Sequence, residues 1–321
     1  MAQTNQATKP ANPVLEMLAK REAAIFIALI VISAGISLVA PQFLTAKNMY
    51  LVSRQISFVA IVALGELFVI LTGGIDLSVG STVGLSGMIT GVALSAGVHP
   101  IFALPIGVLS GMLIGMFNGS VIAYVGITPF IVSLGALSMG RGLSLILTKG
   151  NPIIEMPSSF FFLAQSDLFG IPTPVIIAAI IAGIVHVTLT YTAFGRRIYA
   201  IGGNEQATAL SGVDVKMIKL KIYAICGLLA GIVGVLLVAR FNSAQPATGK
   251  GWELDAIASA VIGGTSLSGG VGTVLGLLIG ATVMGVIRNG LVLMQVSAYW
   301  QDFIIGGIIV LAAVIDRIKN K

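Results

Sequence analysis

Charged side chains are scarce in this sequence. Lys and Arg number 18 and Asp and Glu number 12, so charged residues make up 9% of the 321 residues, whereas hydrophobic residues make up 56%. A soluble globular domain carries about 25% charged residues. The composition therefore excludes a soluble domain and indicates a protein that is embedded in a bilayer.

Cysteine and histidine are almost absent as well. Cys226 is the single cysteine, so the chain cannot form an internal disulfide, and its apolar surroundings predict a packing role. The two histidines, His99 and His186, form no cluster with metal-ligand spacing, and the sequence has no Gly-x-x-x-x-Gly-Lys-Ser/Thr phosphate loop. We therefore expect a chain that is not an enzyme, binds no metal or cofactor, and cannot hydrolyse ATP by itself.

Long apolar runs account for most of the chain, and a membrane-crossing helix needs about 20 such residues. They predict an all-α, polytopic membrane protein with about ten transmembrane helices, two of them in glycine-broken segments. The expected helices are residues 23–40, 56–72, 78–97, 100–124, 128–148, 173–192, 217–239, 255–264, 273–290 and 300–316. They form one transmembrane domain, residues 23–316, between tails at residues 1–22 and 317–321.

The distribution of Lys and Arg predicts the orientation, because these residues are enriched in cytoplasmic loops. A cytoplasmic start places eleven of them inside: Lys9, Lys20, Arg21, Arg196, Arg197, Lys216, Lys219, Lys221, Arg317, Lys319 and Lys321. It places five outside: Lys47, Arg54, Lys149, Arg240 and Lys250. Both termini are then cytoplasmic. The net charge of +6 fits contact with anionic membrane lipid and requires no nucleic acid.

One glycine-rich pattern occurs twice, each time between two apolar runs. Residues 73–80 and 263–270 share Gly-Gly-x-x-Leu-Ser-x-Gly. Breaks in buried helices are tolerated where the freed backbone faces protein or a water-filled cavity, so matching breaks indicate a solute path. The alternative is that the glycines only allow close helix packing. If the breaks line a solute path, we expect Gly74 and Gly264 to adopt left-handed backbone conformations, which are strained for residues with a side chain.

The glycines of the two breaks and the acidic and hydroxyl side chains near them are the candidate path residues. They are Glu66, Gly73, Gly74, Asp76, Ser78, Gly263, Gly264, Ser266 and Ser268. A lone buried charge is costly, so we expect Asp76 and Asp255 to be held by helix ends or by cations such as Arg141 or Arg288. Three roles remain open for Asp76: clamping the structure, contacting the solute, and a role at the cytoplasmic edge. Glu66 is expected to lie between helices, with a role in the path as the alternative.

The basic connection at residues 193–216 contains a short helix that cannot span a membrane. Asn204 can act as its N-cap and Gly212 as its stop. Such a segment can dock into a groove on a partner protein or can be an ordinary loop helix.

The same segment carries a family resemblance. GGNEQATALSGV at residues 202–213, ARFNSAQP at 239–246, ELDAIA at 253–258 with GGTSL at 263–267, and LTGGIDLSVG at 71–80 resemble the ribose-type permease family of bacterial ABC sugar importers. The likeness runs from about residue 41 to the C-terminus. It is specific for the family and less specific for the sugar.

The resemblance implies a homodimer in the bacterial inner membrane. It also implies a cytoplasmic ATPase with two nucleotide-binding modules, which uses ATP and Mg, and an extracytoplasmic sugar-binding protein. By analogy, the segment that couples to the ATPase includes Asn204, Glu205, Ala207, Leu210 and Gly212. Gly212 lies seven residues after Glu205, one more than in the general importer signature.

A different class of transporter remains as the alternative. An ion-coupled secondary transporter of a small polar solute also has broken helices and buried carboxylates, and Glu66, Asp76 and His186 would form its relay. The capped segment at residues 205–212 argues against this alternative and favours the ATP-driven class.

Overall fold

The structure, a computed structural model, describes residues 21–319 and is almost entirely helical. The helices are α1 (Arg21–Val39), α2 (Ala46–Leu71), α3 (Val79–Ser95), α4 (Pro100–Ser120), α5 (Pro129–Thr148), α6 (Phe162–Gln165), α7 (Thr173–Tyr191), α8 (Ala193–Gly203), α9 (Glu205–Leu210), α10 (Val215–Phe241), α11 (Trp252–Ile262), α12 (Val274–Leu293) and α13 (Ala298–Lys319). A π-helical turn, Val121–Val125, extends α4, and a 3-10 turn covers Ser158–Phe160. The predicted tails, residues 1–22 and 317–321, lie mostly outside the described residues.

Four short strands pair in the loops. β1 (Ile153–Ile154) pairs with β4 (Ser243–Ala244), and β2 (Asp167–Leu168) pairs with β3 (Ile171–Pro172), both antiparallel. The first pair joins the connection after α5 to the connection after α10. These loops therefore lie at the end of the bundle opposite α8 and α9.

Seven helices within residues 21–319 are long and apolar enough to cross a membrane, which agrees with a polytopic membrane protein. They are Glu22–Val39, Ala46–Leu71, Pro100–Val125, Pro129–Thr148, Thr173–Tyr191, Val215–Phe241 and Val274–Leu293. Val79–Ser95 and Ala298–Leu311 are apolar but shorter. Each of the ten predicted segments forms a helix, and α11, with 11 residues, is the shortest of them.

The start of α2 differs most from the prediction. The helix begins at Ala46, ten residues before the predicted residue 56. Thr45 caps it, because the Thr45 hydroxyl accepts from the amide of Asn48 at 3.3 Å. The first turns carry polar residues, including Lys47, Arg54 and Gln55, so an apolar-run criterion misses them.

Helix α10 forms the centre of the bundle, and glycines bring α4 against it. Gly107, Gly111, Gly115 and Gly119 repeat every fourth residue along α4. A Cβ added to Gly111 would lie 2.8 Å from the Cα of Gly231 on α10. Small residues at this spacing let membrane helices approach to backbone contact. This seam fixes the position of α10 relative to both breaks.

The connection between α10 and α11 turns back into the bundle. Arg141 on α5 donates to the carbonyl of Thr248 at 2.7 Å, and a Cβ on Gly84 of α3 would lie 2.7 Å from the same carbonyl oxygen. Helix α11 therefore begins inside the bundle, which explains how 11 residues can reach the second break.

Candidate functional site

The first break ends α2 with a glycine stop of the Schellman type. The Gly73 amide donates to the Ile70 carbonyl at 2.8 Å, and the Gly74 amide donates to the Val69 carbonyl at 3.1 Å. Gly73 has φ +75°, a left-handed conformation that only glycine adopts without steric cost. The φ of Gly74 lies outside that region. The expectation of a left-handed Gly74 is therefore wrong, and the left-handed residue is its neighbour.

Gly74 is required for space. An added Cβ would lie 2.8 Å from the hydroxyl oxygen of Tyr223 and 3.2 Å from Cγ1 of Val69. The Tyr223 hydroxyl is buried and has no hydrogen-bond partner in the described part of the chain. A cavity of about 160 Å³ lies here, bordered by Gly74, Tyr223 and the side chains of Glu205 and Lys219. The first break therefore lies next to the predicted coupling segment.

The second break ends α11 with the same stop. The Gly264 amide donates to Val261 and the Thr265 amide donates to Ala260, both at 2.9 Å, and Gly264 has φ +86°. In three dimensions Gly264 thus corresponds to Gly73. The repeated sequence pattern instead aligns Gly73 with Gly263. The structural repeat is therefore displaced by one residue from the sequence repeat.

Gly263 has a packing role. A Cβ there would overlap the carbonyl of Gly276 on α12 and lie 2.7 Å from the amide nitrogen of Leu277. Both explanations of the glycine pairs, a backbone break and close helix packing, therefore hold for the second pair. Gly264 breaks the helix, and Gly263 leaves space for α12.

Beyond Gly74 the chain folds back along the last turns of α2 and forms a buried polar cluster. The Asp76 amide donates to Oε1 of Glu66 at 2.9 Å. Oδ1 of Asp76 accepts from the amide of Ser78 at 2.9 Å and from its hydroxyl at 2.6 Å. Asn118 on α4 then donates to the Ser78 hydroxyl oxygen at 2.8 Å. These four side chains are at most 2% exposed, so the first break is a closed turn held by hydrogen bonds.

The acidic residues near the two breaks have different partners. Arg288 on α12 donates to both carboxylate oxygens of Asp255, at 2.7 and 2.9 Å, which confirms one expected pair. Neither Glu66 nor Asp76 forms an ion pair with a Lys or Arg within residues 21–319. Arg141 binds the Thr248 carbonyl instead of Asp76. Neutral donors, and not a cation, therefore satisfy Asp76.

The loop of the second break lies against the end of α2. The Gly270 amide donates to the carbonyl of Leu71, the last residue of α2, at 2.9 Å. The backbone carbonyl of Ser268 lies 3.5 Å from where a Cβ of Gly73 would be, and both residues are exposed. Ser266 is buried, and its amide donates to Val271 at 2.9 Å. The two breaks, distant in sequence, thus meet at one place.

The end of α8 meets the breaks at that same place. A Cβ on Gly202 would overlap the carbonyl of Leu71 and the amide of Gly270. The hydroxyl of Tyr199 donates to the carbonyl of Gly272 at 2.8 Å. Burial raises the pKa of Tyr199, so the phenol keeps the proton that it donates. We call this meeting of Leu71, Gly202 and Gly270 the glycine junction.

The short helix α9 has the predicted caps. Oδ1 of Asn204 accepts from the Ala207 amide at 2.9 Å, and Gly212 ends the segment with φ +82°. Glu205 binds Nζ of Lys219 on α10 with both carboxylate oxygens, at 2.7 and 2.8 Å. Leu210 is 90% exposed, an unusual position for a large apolar side chain beside a polar loop. The helix is confirmed, and its role in coupling stays a prediction.

Sequence reasoning missed two residues of the site, Asn118 and Tyr223. Both lie in apolar helices and reach the first break from α4 and α10. A polar side chain in a spanning segment is the only signal that could have indicated Asn118. Cys226 on α10 is fully buried, and its sulfur lies 3.8 Å from Oε2 of Glu66, so it packs against the cluster.

Known proteins resemble the chain over most of its length. The family model of the branched-chain amino acid transport system permease component matches residues 48–313. The ribose import permease protein of Bacillus subtilis is 41% identical over 297 residues, covering 92% of both chains. The D-allose transport system permease protein of Escherichia coli is 40% identical over 92% of this chain and 91% of its own.

A more distant relative is the xylose transport system permease protein of Haemophilus influenzae. It is 33% identical over 92% of this chain and 96% of its own. No solved structure gives a significant match. The buried glycine breaks, the spanning helices and these relatives agree with the resemblance seen in the sequence. The chain therefore belongs to this family of transport-system permease components, among the relatives of the ribose-type ABC sugar permeases.

Proposed function

We propose that this chain is the membrane permease subunit of an ATP-driven importer of ribose or a related monosaccharide. Permeases for ribose, D-allose and xylose are its relatives over nine tenths of its length. The chain transports and is not an enzyme, and ATP hydrolysis belongs to a partner ATPase. The solute path runs past the two breaks, where Gly73 and Ser268 are exposed. Glu66, Asp76 and Ser78 are enclosed in the first break and Ser266 in the second, so they shape the path without facing it in this conformation.

The glycine junction is the observation that carries the mechanism. It joins the end of α2, the loop of the second break and the end of α8 through backbone contacts that leave no room for a Cβ on Gly202. A movement of α8 must therefore move both breaks or separate them. The junction therefore has two states, one in which its three parts stay together and one in which they separate. A partner protein shifts the balance between these states only if it binds one of them more tightly than the other.

The partner that moves α8 is the ATPase, bound at α9. Helix α9 follows α8 after one residue, Asn204, and presents the exposed side chain of Leu210. The Glu205–Lys219 ion pair ties the start of α9 to α10, so a push on α9 also reaches the helix that carries Tyr223. This route connects an ATPase cleft to the first break.

The assembly is a homodimer of ten-helix protomers in the bacterial inner membrane. α3, α11 and α13 complete the set of ten with the seven helices that are long and apolar enough to span a membrane. The excess of Lys and Arg in residues 193–216 and at the ends of the chain supports cytoplasmic termini. A sugar-binding protein then delivers solute at the opposite face, where the β1 and β4 loops lie.

Uptake by a purified system tests this function. Proteoliposomes that contain the chain, its ATPase and its binding protein should accumulate D-ribose, D-allose or D-xylose when ATP is enclosed with the ATPase. Leu210→Asp should abolish uptake and lower co-purification of the ATPase, because it puts a charge on the docking surface. Gln206→Asp, on the same short helix, is the matched control.

The result separates the two transporter classes. Accumulation that needs ATP and survives dissipation of the ion gradients supports the proposal. Accumulation that follows a proton or sodium gradient without ATP would refute it in favour of an ion-coupled transporter. Normal uptake by Leu210→Asp would refute the coupling role of α9 alone.

A further inference from the structure

A cavity of about 440 Å³ lies apart from both breaks, between the first half of α2, α11, the last half of α12 and the start of α13. Its size is within the range of small-molecule sites. Gln55, on its wall, precedes Glu66 by eleven residues, which is about 16 Å along a helix. The cavity is therefore separate from the polar cluster of the first break.

Two fixed polar pairs border this cavity. Arg288 binds both carboxylate oxygens of Asp255, and the amides of Asn48 and Asn289 bind each other reciprocally at 2.9 and 3.0 Å. The charges of Asp255 and Arg288 cancel each other, so the polar groups that border the cavity carry no net charge. This arrangement suits a neutral polar ligand better than an ion.

Gln55 supplies the open hydrogen-bonding group. Its side-chain amide lines the cavity and forms no hydrogen bond with the described residues, unlike Asn48, Asn289 and Gln301. Ile56 and Val59 add apolar wall next to it. A planar amide beside apolar surface matches a pyranose or furanose ring, which has hydroxyl groups at its rim and C–H groups on its faces.

Arg288 makes hydrocarbon an unfavourable filling for this cavity. Its side chain is 34% exposed, although it lies on α12, which is long and apolar enough to span a membrane. A guanidinium group that faces hydrocarbon is costly, so the mouth of the cavity must contact water or protein.

We propose that this cavity is a monosaccharide subsite on the outer side of the permease. The side and the ligand class rest on the proposed function. The bound ring donates to and accepts from Gln55 and accepts from the second Nδ2 hydrogen of Asn289. Asn48 positions Asn289, because its own Nδ2 is used by Asn289 and by the Phe43 carbonyl. Asp255 lies nine residues before Gly264, and α11 joins the two, so occupancy is transmitted to the second break through this helix.

Thiol labelling tests this subsite directly. Gln55→Cys should react with a membrane-impermeant maleimide added from outside, and D-ribose should slow the reaction in a concentration-dependent way. Cys226 is fully buried, so the unmodified chain provides the unlabelled background. Ser53→Cys lies two residues away on another face of α2 and should show no protection by D-ribose. A cysteine at position 55 that does not react, or that none of D-ribose, D-allose and D-xylose protects, would overturn the proposal.

Uptake kinetics distinguish a failed subsite from a failed function. Gln55→Leu should reduce uptake by roughly tenfold, the loss expected when one hydrogen bond to a buried ligand group is removed. Stimulation of the ATPase by the loaded binding protein should persist, and Gln42→Leu should transport normally. Unchanged uptake by Gln55→Leu would overturn the subsite and leave the function standing. Absence of ATP-driven uptake by the unmodified chain would overturn the function itself.

Discussion

After the first break the chain needs seven residues, 72–78, to start the next helix, and these residues fold back onto the side chain of Glu66. After the second break it needs eleven, 263–273, and these pass over the ends of α2 and α8. Both breaks begin with the same helix stop. The first then encloses buried acidic side chains, whereas the second forms partly exposed glycine turns that contact other elements.

The same glycine helix stop therefore has two different roles in this protein. A helix stop requires only one left-handed residue and two backbone hydrogen bonds, so it can recur wherever glycine occurs. Tertiary contacts then set the path of the chain beyond each stop. We infer that the first break stabilises the interior and that the second transmits movement from α8 to α2.

The largest effect is expected where the second break meets α12. Gly263 corresponds in three dimensions to Thr72 of the first break, so Gly263→Thr exchanges equivalent residues. The new side chain would overlap the Gly276 carbonyl and should lower stability by about 3 kcal/mol or more. Thermal unfolding in detergent measures the loss. The reverse exchange, Thr72→Gly, should cost about 1 kcal/mol, since it removes one hydroxyl bond to Val69 and adds backbone freedom. Equal losses would contradict the claim that only the residue at the second break, Gly263, is packed too tightly for a side chain.

A smaller difference is expected between the two acidic residues. Asp255→Asn leaves Arg288 without its carboxylate, and because Arg288 is partly exposed we expect a loss of about 2 kcal/mol. Asp76→Asn keeps an oxygen for the Ser78 hydroxyl and should cost about 1 kcal/mol or less. Denaturation of both variants at neutral pH measures the contrast. If Asp76→Asn were the more harmful change, a cation would have to contact Asp76.

The smallest differences should appear between the two left-handed glycines. Gly73→Ala and Gly264→Ala should each cost about 1–2 kcal/mol, the penalty for a Cβ in the left-handed region. Their similarity tests the structural alignment of the breaks. Gly183→Ala on α7, where a Cβ has open space in a helix interior, is the control and should not lower stability. Similar costs at Gly73 and Gly263, with none at Gly264, would favour the sequence alignment instead.

Local patterns predicted much of the molecule. The apolar runs predicted the positions and order of the long apolar helices, and the cap residues predicted α9, because both depend on neighbouring residues. The same patterns wrongly predicted a left-handed Gly74 and aligned Gly73 with Gly263. The left-handed residue is set by where the last hydrogen bonds of the helix form, and the repeated sequence pattern does not show that position. A Cβ on Gly234 of α10 would lie 2.9 Å from the Gly87 amide nitrogen on α3, a close contact that no local pattern indicates.

Contacts between distant segments explain what the sequence could not predict. The glycine junction joins residues that lie about 70 to 200 positions apart, and no property of Gly202 alone indicates that Leu71 is its neighbour. Asn118 and Tyr223 reach the first break from helices that otherwise contact apolar surface. The return of residues 245–251 into the bundle depends on Arg141, whose partner is a backbone carbonyl without a sequence signal.

Two adjacent glycines at the end of α8 allow the most direct test of the glycine junction. A Cβ at Gly202 overlaps the backbone of Leu71 and Gly270, whereas a Cβ at Gly203 meets no atom within 4 Å, and neither residue has a positive φ. ATP-driven sugar uptake should therefore be measured in proteoliposomes for Gly202→Ala and Gly203→Ala, with ATPase co-purification measured alongside. We predict that Gly202→Ala loses most uptake while still binding the ATPase, and that Gly203→Ala transports normally. Equal uptake by the two variants would contradict the claim that the junction couples α8 to the breaks.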